Sequence, residues 1–304
     1  MSISKKLPPL LDLQLKLHGL LKRPEPANFL SQLTLLESQL VEHLATSSDG
    51  VLLTLVDFAS KELQQYSSTH AMLVTTLSHL GGMQIESWDE AQRQALRFAA
   101  MTMNISMMDL QDTLSQQSSA LTDEQKTQIA SHPIRSEEML RSLGCTEALW
   151  LESVRRHHEA EPGALAARQP ASQIARMIQR ADVFASRISP RKNRAALSAS
   201  AAAQVAYLDE KHNPDEAGAA LIKAVGIYPP GCWVGLGSGE IAMVLKRGEK
   251  AHCPLVAALV GSDGLPLAMP RLRDTQQAPY GISVSIAPDK IKFRPRLDTL
   301  LHML

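Results

Sequence analysis

The chain has 304 residues, with 31 Lys plus Arg balanced by 31 Asp plus Glu, and 44% of it is hydrophobic. That length allows a large buried core. The zero net charge excludes a global field for nucleic acid polymers or anionic membranes, so any anionic ligand must be held by a local cluster. Cys145, Cys232 and Cys253 are widely spaced and form no CxxC pair, which excludes a disulfide framework or zinc knuckle and fits the reduced thiols of a cytoplasmic protein. Pro8, Pro9, Asp12, Lys16 and His18 interrupt the N-terminal leucines, so no signal peptide or membrane span is expected.

Residues 1–60 read as an N-terminal helical region, with breaks at Pro24, Pro26 and Asp49-Gly50. Over 51–80, Leu52, Leu55, Phe58, Leu63, Tyr66, His70, Leu73 and Leu77 mark one long amphipathic helix that stops at Gly81-Gly82. His70 lies on its apolar side. Ser87-Trp88-Asp89-Glu90 has the form of a capping box, opening a helix whose Phe98, Thr102, Ile105 and Asp109 share roughly one face. Met101, Met103, Met107 and Met108 read as core filler. A polar loop spans 111–120. Thr122 with Gln125 then caps a helix that reaches His132, where Pro133 breaks it; a further helix over 134–143 closes on Gly144.

The next helix turns Trp150, Leu151 and Val154 inward, with His157 and His158 continuing that stripe and Arg155 and Arg156 facing away. Over 172–188, Asp182 lies beside Ala175, Ile178 and Ala185, opposite Arg176, Arg180 and Arg187, which read as a solvated face. Helices over 195–208 and 214–225 complete the helical part. From Gly226 onwards glycine and proline rise, and the runs 232–236, 240–245, 255–260 and 282–286 read as strands, with Ser262-Asp263-Gly264 as a hairpin turn. The expected fold is mainly α, with a helical domain over 61–225 and a small antiparallel β appendage over 226–304.

Imidazoles and a carboxylate turned inward from separate helices can converge where a metal offsets the cost of burying them. His70, Asp109, His132, His157, His158 and Asp182 make a nitrogen and oxygen ligand set without thiolate, which suits one or two divalent ions, iron or manganese foremost. Between Pro162 and Asp209 stand seven basic residues, Arg168, Arg176, Arg180, Arg187, Arg191, Lys192 and Arg194, and a single acid, Asp182. Guanidinium groups bind phosphate bidentately, and the loop bearing Arg191, Lys192 and Arg194 follows the helix of Asp182.

The order His70, Asp109, His132-Pro133, His157-His158-Glu159, Ala181-Asp182-Val183 resembles the HD-GYP branch of the HD-domain metal-dependent phosphohydrolases. YSSTHAMLV around His70 and IARMIQRADVFASRISPRKNRAALS over 174–198 carry the resemblance, and GIYPPGCWVGLGSGEIAMV over 226–244 extends it weakly. It implies an HD-type helical bundle and hydrolysis of cyclic di-GMP at a two- or three-metal centre. By the same resemblance Asp109 and Glu159 are catalytic, Arg191, Lys192 and Arg194 contact the substrate, and the partners are a cyclic dinucleotide or other phosphate ester and signalling proteins. Two departures stand out. Met108-Asp109-Leu110-Gln111 replaces the family's His-Asp with its following Gly-Lys, and no Gly-Tyr-Pro loop follows His-His-Glu. A thioether is a poor ligand for a hard cation. A degenerate member that binds a nucleotide or partner protein without turnover is therefore the second reading, and a metal-free structural bundle is the third.

Overall fold

The computed structural model describes residues 9–61, 65–160 and 163–304. The expectations placed on Pro8, Leu63 and Pro162 lie outside the described residues. Helix α1 (Pro9–Lys22) buries Leu10, Leu13, Leu17, Leu20 and Leu21, a spacing of three and four that keeps one face apolar. Helix α2 (Phe29–Lys61) is kinked at Ser47, two residues before the expected break, where Ser47 Oγ accepts the Gly50 N–H at 3.2 Å and restarts the helix. Asp49 instead receives Arg247 from the sheet.

The single helix expected over 51–80 is two. Helix α2 ends at Lys61, and Gln65 is left-handed (φ 57°) immediately before α3 (Tyr66–Gly82). Buried almost all round, α3 is the central element, on which α1, α2 and the later helices α4 (Glu90–Thr102), α5 (Met108–Gln116), α8 (Pro170–Ile188) and α10 (Glu216–Val225) pack. Its first turn is tied to α5 by the Ser67 N–H, which donates to Asp112 at 2.9 Å.

Helix α4 (Glu90–Thr102) opens on a capping box formed by Asp89 and Gln92, two residues beyond the expected one. It stops at Thr102, and a 3-10 turn (Ile105–Met107) leads into α5 (Met108–Gln116). Met101, Met103 and Met108 are buried as expected. Thr122 and Gln125 cap α6 (Asp123–Ser142), which runs uninterrupted through Pro133. Gly144, with φ 91°, ends that turn and leads to α7 (Ala148–Arg156).

Helix α8 (Pro170–Ile188) is covered by α9 (Ala199–Tyr207) and α10 (Glu216–Val225), and this overturns the solvated arginine face. Arg176 and Arg180 are buried: Arg176 donates to Asp215 and Glu210, and Arg180 donates to Glu210 and to the Leu208 carbonyl at 2.7 Å. Two long side chains that sequence spacing turns outward, Arg176 and Arg180, instead form the seam where later chain lies over them, while Arg187 is half-buried. One apolar core runs from α1 through α10.

Strands β1 (Trp233–Leu236), β2 (Ile241–Lys246), β3 (Leu255–Val260), β4 (Pro266–Asp274) and β5 (Ile282–Ile286) form an antiparallel sheet in the order β4-β3-β2-β1-β5. Val234 pairs with Ala242 and Val244 with Val256, all on one face, while Trp233, Met243, Leu245 and Ala257 meet Leu53 of α2 on the other. Helix α11 (Leu297–Leu301) adds Leu300 to that second face. Neither β4 nor α11 is apparent in the sequence. Pro266 and Pro270 argue against a strand, and an edge position tolerates them because one row of N–H groups there needs no partner. The Ser262-Asp263-Gly264 turn does join β3 to β4, with Gly264 at φ 78°. Gly231 (φ 91°) brings the sheet onto α2, where a Cβ would lie 2.9 Å from the Leu53 carbonyl. Among the described residues no helix is long and apolar enough to cross a membrane.

Candidate metal centre

Pro133 has no N–H, so the Ile129 carbonyl one turn earlier loses its helical donor. His132 fills the gap: its Nδ1–H donates to the Ile129 carbonyl at 2.5 Å. The proline therefore fixes a histidine rather than ending a helix. His157 repeats the device at the end of α7, where its Nδ1–H donates to the Val154 carbonyl at 2.6 Å, one of the carbonyls that a helix terminus leaves without a partner. In both rings the proton is held on Nδ1, because a carbonyl can only accept.

The two Nε2 atoms consequently face each other with bare lone pairs, 3.1 Å apart. Protonation does not relieve the contact near neutrality. Burial, with the charge of His158 acting in the same direction, lowers His132 to about 4, and burial with the charges of His158 and His132 lowers His157 well below its ordinary value. Two ligands about one cation at about 2.0–2.1 Å stand roughly 2.9–3.4 Å apart, depending on the coordination angle. The observed separation falls within that range. His158 completes a group whose ligand atoms lie within 4.8 Å of one another, and it is exposed, which leaves the group open to solvent. The Ile129 and Val154 carbonyls hold the His132 and His157 rings as outer partners hold the histidines of metal sites.

A second arm comes from α3 and α8. The His70 Nε2–H donates to Asp182 Oδ1 at 2.7 Å, and the buried His70 Nδ1 has no partner among the described residues. Burial pushes the Asp182 carboxyl up. The His70 hydrogen bond and the charges of His70, His158 and His157 outweigh that push and hold it well below the usual carboxylate range. The Asp182 charge also acts through space on His132 and His157, opposing the effect of their burial. Nitrogen and oxygen donors, an orphaned buried imidazole atom and facing lone pairs together fit a divalent cation.

Three expected site residues are placed differently. Asp109 is on the surface: its side chain is 80% exposed and is paired with Lys22 at 3.0 Å. The reason is the interruption after Thr102, which turns α5 off the face that α4 presents. Glu159 is exposed and receives Arg156 at 3.2 Å. Lys192 is exposed too, and its backbone N–H donates to the Ser115 carbonyl at 2.9 Å. Arg191 and Arg194 lie in the loop after α8. Arg191 donates to the Tyr66 hydroxyl at 3.0 Å, Arg194 donates to the Ser186 carbonyl, and both Nε atoms are buried without partners among the described residues.

Two residues at the site were passed over in the sequence. Ser106, in the turn between α4 and α5, donates to the His132 carbonyl at 3.1 Å, and Asn104 just before that turn is buried. Tyr66 stands one helical turn before His70, and their rings stack at 5.4 Å. The i, i+4 spacing was the available signal for Tyr66; for Ser106 there was none, because the turn that brings it to α6 depends on tertiary packing.

Pro133→Ala tests the carbonyl device. The new N–H competes for the Ile129 carbonyl, so metal affinity is expected to fall about tenfold or more, on the scale of outer-partner losses, while thermal stability without metal stays equal or rises. Calorimetric titration and a melting curve read the two effects separately. Equal loss of both would count against the device.

No family model matches the chain, and no solved structure does. A curated protein described as cyclic di-GMP phosphodiesterase PA4108, from Pseudomonas aeruginosa, is 28% identical over 217 residues, covering 69% of this chain and 52% of that protein. The chain thus spans about half the length of this relative, and its similarity to a cyclic di-GMP phosphodiesterase is distant.

Proposed function

We propose that the chain is a metal-dependent phosphohydrolase-like protein of the HD-GYP type, acting on or binding cyclic di-GMP or a related nucleotide. In this reading the HD-type bundle occupies 61–225, flanked by the helical region 1–60 and the β extension 226–304. The observation that carries it is the pair of neutral imidazoles with opposed Nε2 lone pairs 3.1 Å apart. The distant similarity to a protein named as a cyclic di-GMP phosphodiesterase supports the same substrate class.

His132, His157 and His158 would hold one iron or manganese ion, and His70 with Asp182 would complete it or hold a second. The metal supplies Lewis-acid polarisation of a phosphodiester. Around it, Arg191, Lys192 and Arg194 orient the anionic ester, and Asp182 holds the Nε2 proton of His70. Glu159, at the open rim beside His158, is the proposed proton carrier once Arg156 releases it. The role expected of Asp109 passes to the segment that packs on His132: we place the family's His-Asp pair at Met103-Asn104, supported by the contact of the next turn with His132. A methionine and a neutral amide there withhold an imidazole and a carboxylate. That observation favours the second reading, a signalling module that binds a nucleotide or a partner protein without hydrolysis.

Anaerobic reconstitution with iron or manganese, followed by cyclic di-GMP, separates them. The expected products are pGpG or GMP; bound metal and nucleotide without turnover selects the non-catalytic module. The double variant M103H/N104D is expected to raise metal stoichiometry and to increase turnover by about tenfold or more. No change in either would refute the placement at Met103-Asn104.

A further inference from the structure

The basic loop and the histidine cluster are joined by one side chain. Tyr66 is 2% exposed at the first position of α3. Its hydroxyl accepts from Arg191 at 3.0 Å, the Arg191 guanidinium lies 5.1 Å from its ring centroid, and its ring stacks on His70 at 5.4 Å with an interplanar angle of 14°. His70 in turn donates to Asp182. Arg191, Tyr66, His70 and Asp182 thus form an unbroken series of direct contacts from the loop to the ligand arm.

The Tyr66 hydroxyl is a weak neutral acceptor for a guanidinium, whereas a phosphate oxygen is a charged one and accepts roughly twice as strongly. The buried Arg191 Nε, left without a partner, marks unused donor capacity in the same group. Arg194 does not compete for the hydroxyl, since it is committed to the Ser186 carbonyl.

We propose that Tyr66 is a positioning residue which reports the occupancy of the basic loop to the His70 imidazole: a phosphate group draws Arg191 off the Tyr66 hydroxyl, and the ring that holds His70 shifts with it. It rests on reading the loop arginines as phosphate contacts, and not on any metal being bound. The linkage is reciprocal, so whatever orders His70 also alters anion affinity at Arg191.

The test is a titration of the metal-stripped full chain with inorganic pyrophosphate, following the ring resonances of His70 and the backbone amides of 191–194 by NMR. In the wild type both sets are expected to move along the same binding curve. In Tyr66→Phe, which keeps the stacked ring and loses the acceptor, the loop amides still move and the His70 response drops about fivefold, since the charged arginine no longer has a hydroxyl to leave. In Arg191→Lys the His70 response is lost while Tyr66 stays in place. An unchanged His70 response in Tyr66→Phe overturns the proposal, and so does a wild type whose loop amides do not move at all. Neither result depends on whether the histidine cluster takes up metal, so failure here and failure of the metal centre are told apart.

Discussion

Replacing His157 with alanine is expected to weaken metal binding by more than about a hundredfold, beyond the usual cost of losing an outer partner. His157 is fully buried, is held by the Val154 carbonyl, and supplies one of the two opposed lone pairs. Without it the His132 Nε2 loses the facing lone pair that stands 3.1 Å away. Ligand linkage makes the effect visible without any substrate. At a metal concentration of about 100 times the wild-type Kd, the wild type gains about 2.7 kcal/mol of stability, and a variant bound a hundredfold more weakly gains about 0.4 kcal/mol. Melting curves with and without metal read that difference. A full metal-induced rise in the variant would show that the ion sits elsewhere. Because burial lowers His132 to about 4, protons compete for its ring only as the pH approaches that value.

Arg176→Ala is expected to destabilise the protein by about 3 kcal/mol, the cost of breaking a buried pair and stranding the other charge. Arg176 donates to Asp215 at 2.7 Å, and the Asp215 carboxylate is 6% exposed. Glu210 is 46% exposed and contributes less, because water screens it. Its titration gives the variant a second signature. The Arg176 hydrogen bonds, against opposing burial, hold Glu210 at about 2 where an unperturbed side chain titrates at 4.5. A carboxyl lowered on folding contributes stability that is complete above its unfolded pKa and is lost as the pH falls through the folded value. The wild type should therefore lose stability between about pH 4.5 and 2, and the variant should lose less over that window. Denaturant unfolding at several pH values measures both. Equal slopes would mean that Glu210 does not depend on Arg176.

The helical character, the Thr122 box, the Gly144 terminus and four of the five strands are legible in local sequence, because each depends on residues within a few positions of one another. So is the inward stripe that carries His157, and the opposition of Asp182 to the arginines of α8. What escapes local reading is decided by packing. The break between α4 and α5 falls where Ser106 meets His132 and Ser136 rather than at a glycine or proline, and it moves Asp109 to the surface. Pro133 reads as a helix breaker until the imidazole beside it takes over the freed carbonyl. Arg176 and Arg180 read as solvated because the residues that pair with them, Glu210 and Asp215, arrive some thirty positions later. Strand β4 carries prolines that only its edge position excuses.

The most direct measurement is a calorimetric titration of the chelator-stripped chain with manganese or ferrous iron under argon, paired with long-range nitrogen NMR of the histidine rings. Saturable uptake of at least one ion per chain, with the Nε2 signals of His132 and His157 displaced together and their Nδ1 protons retained, is the predicted result. No uptake in the micromolar range, with a proton found on either Nε2, would contradict it.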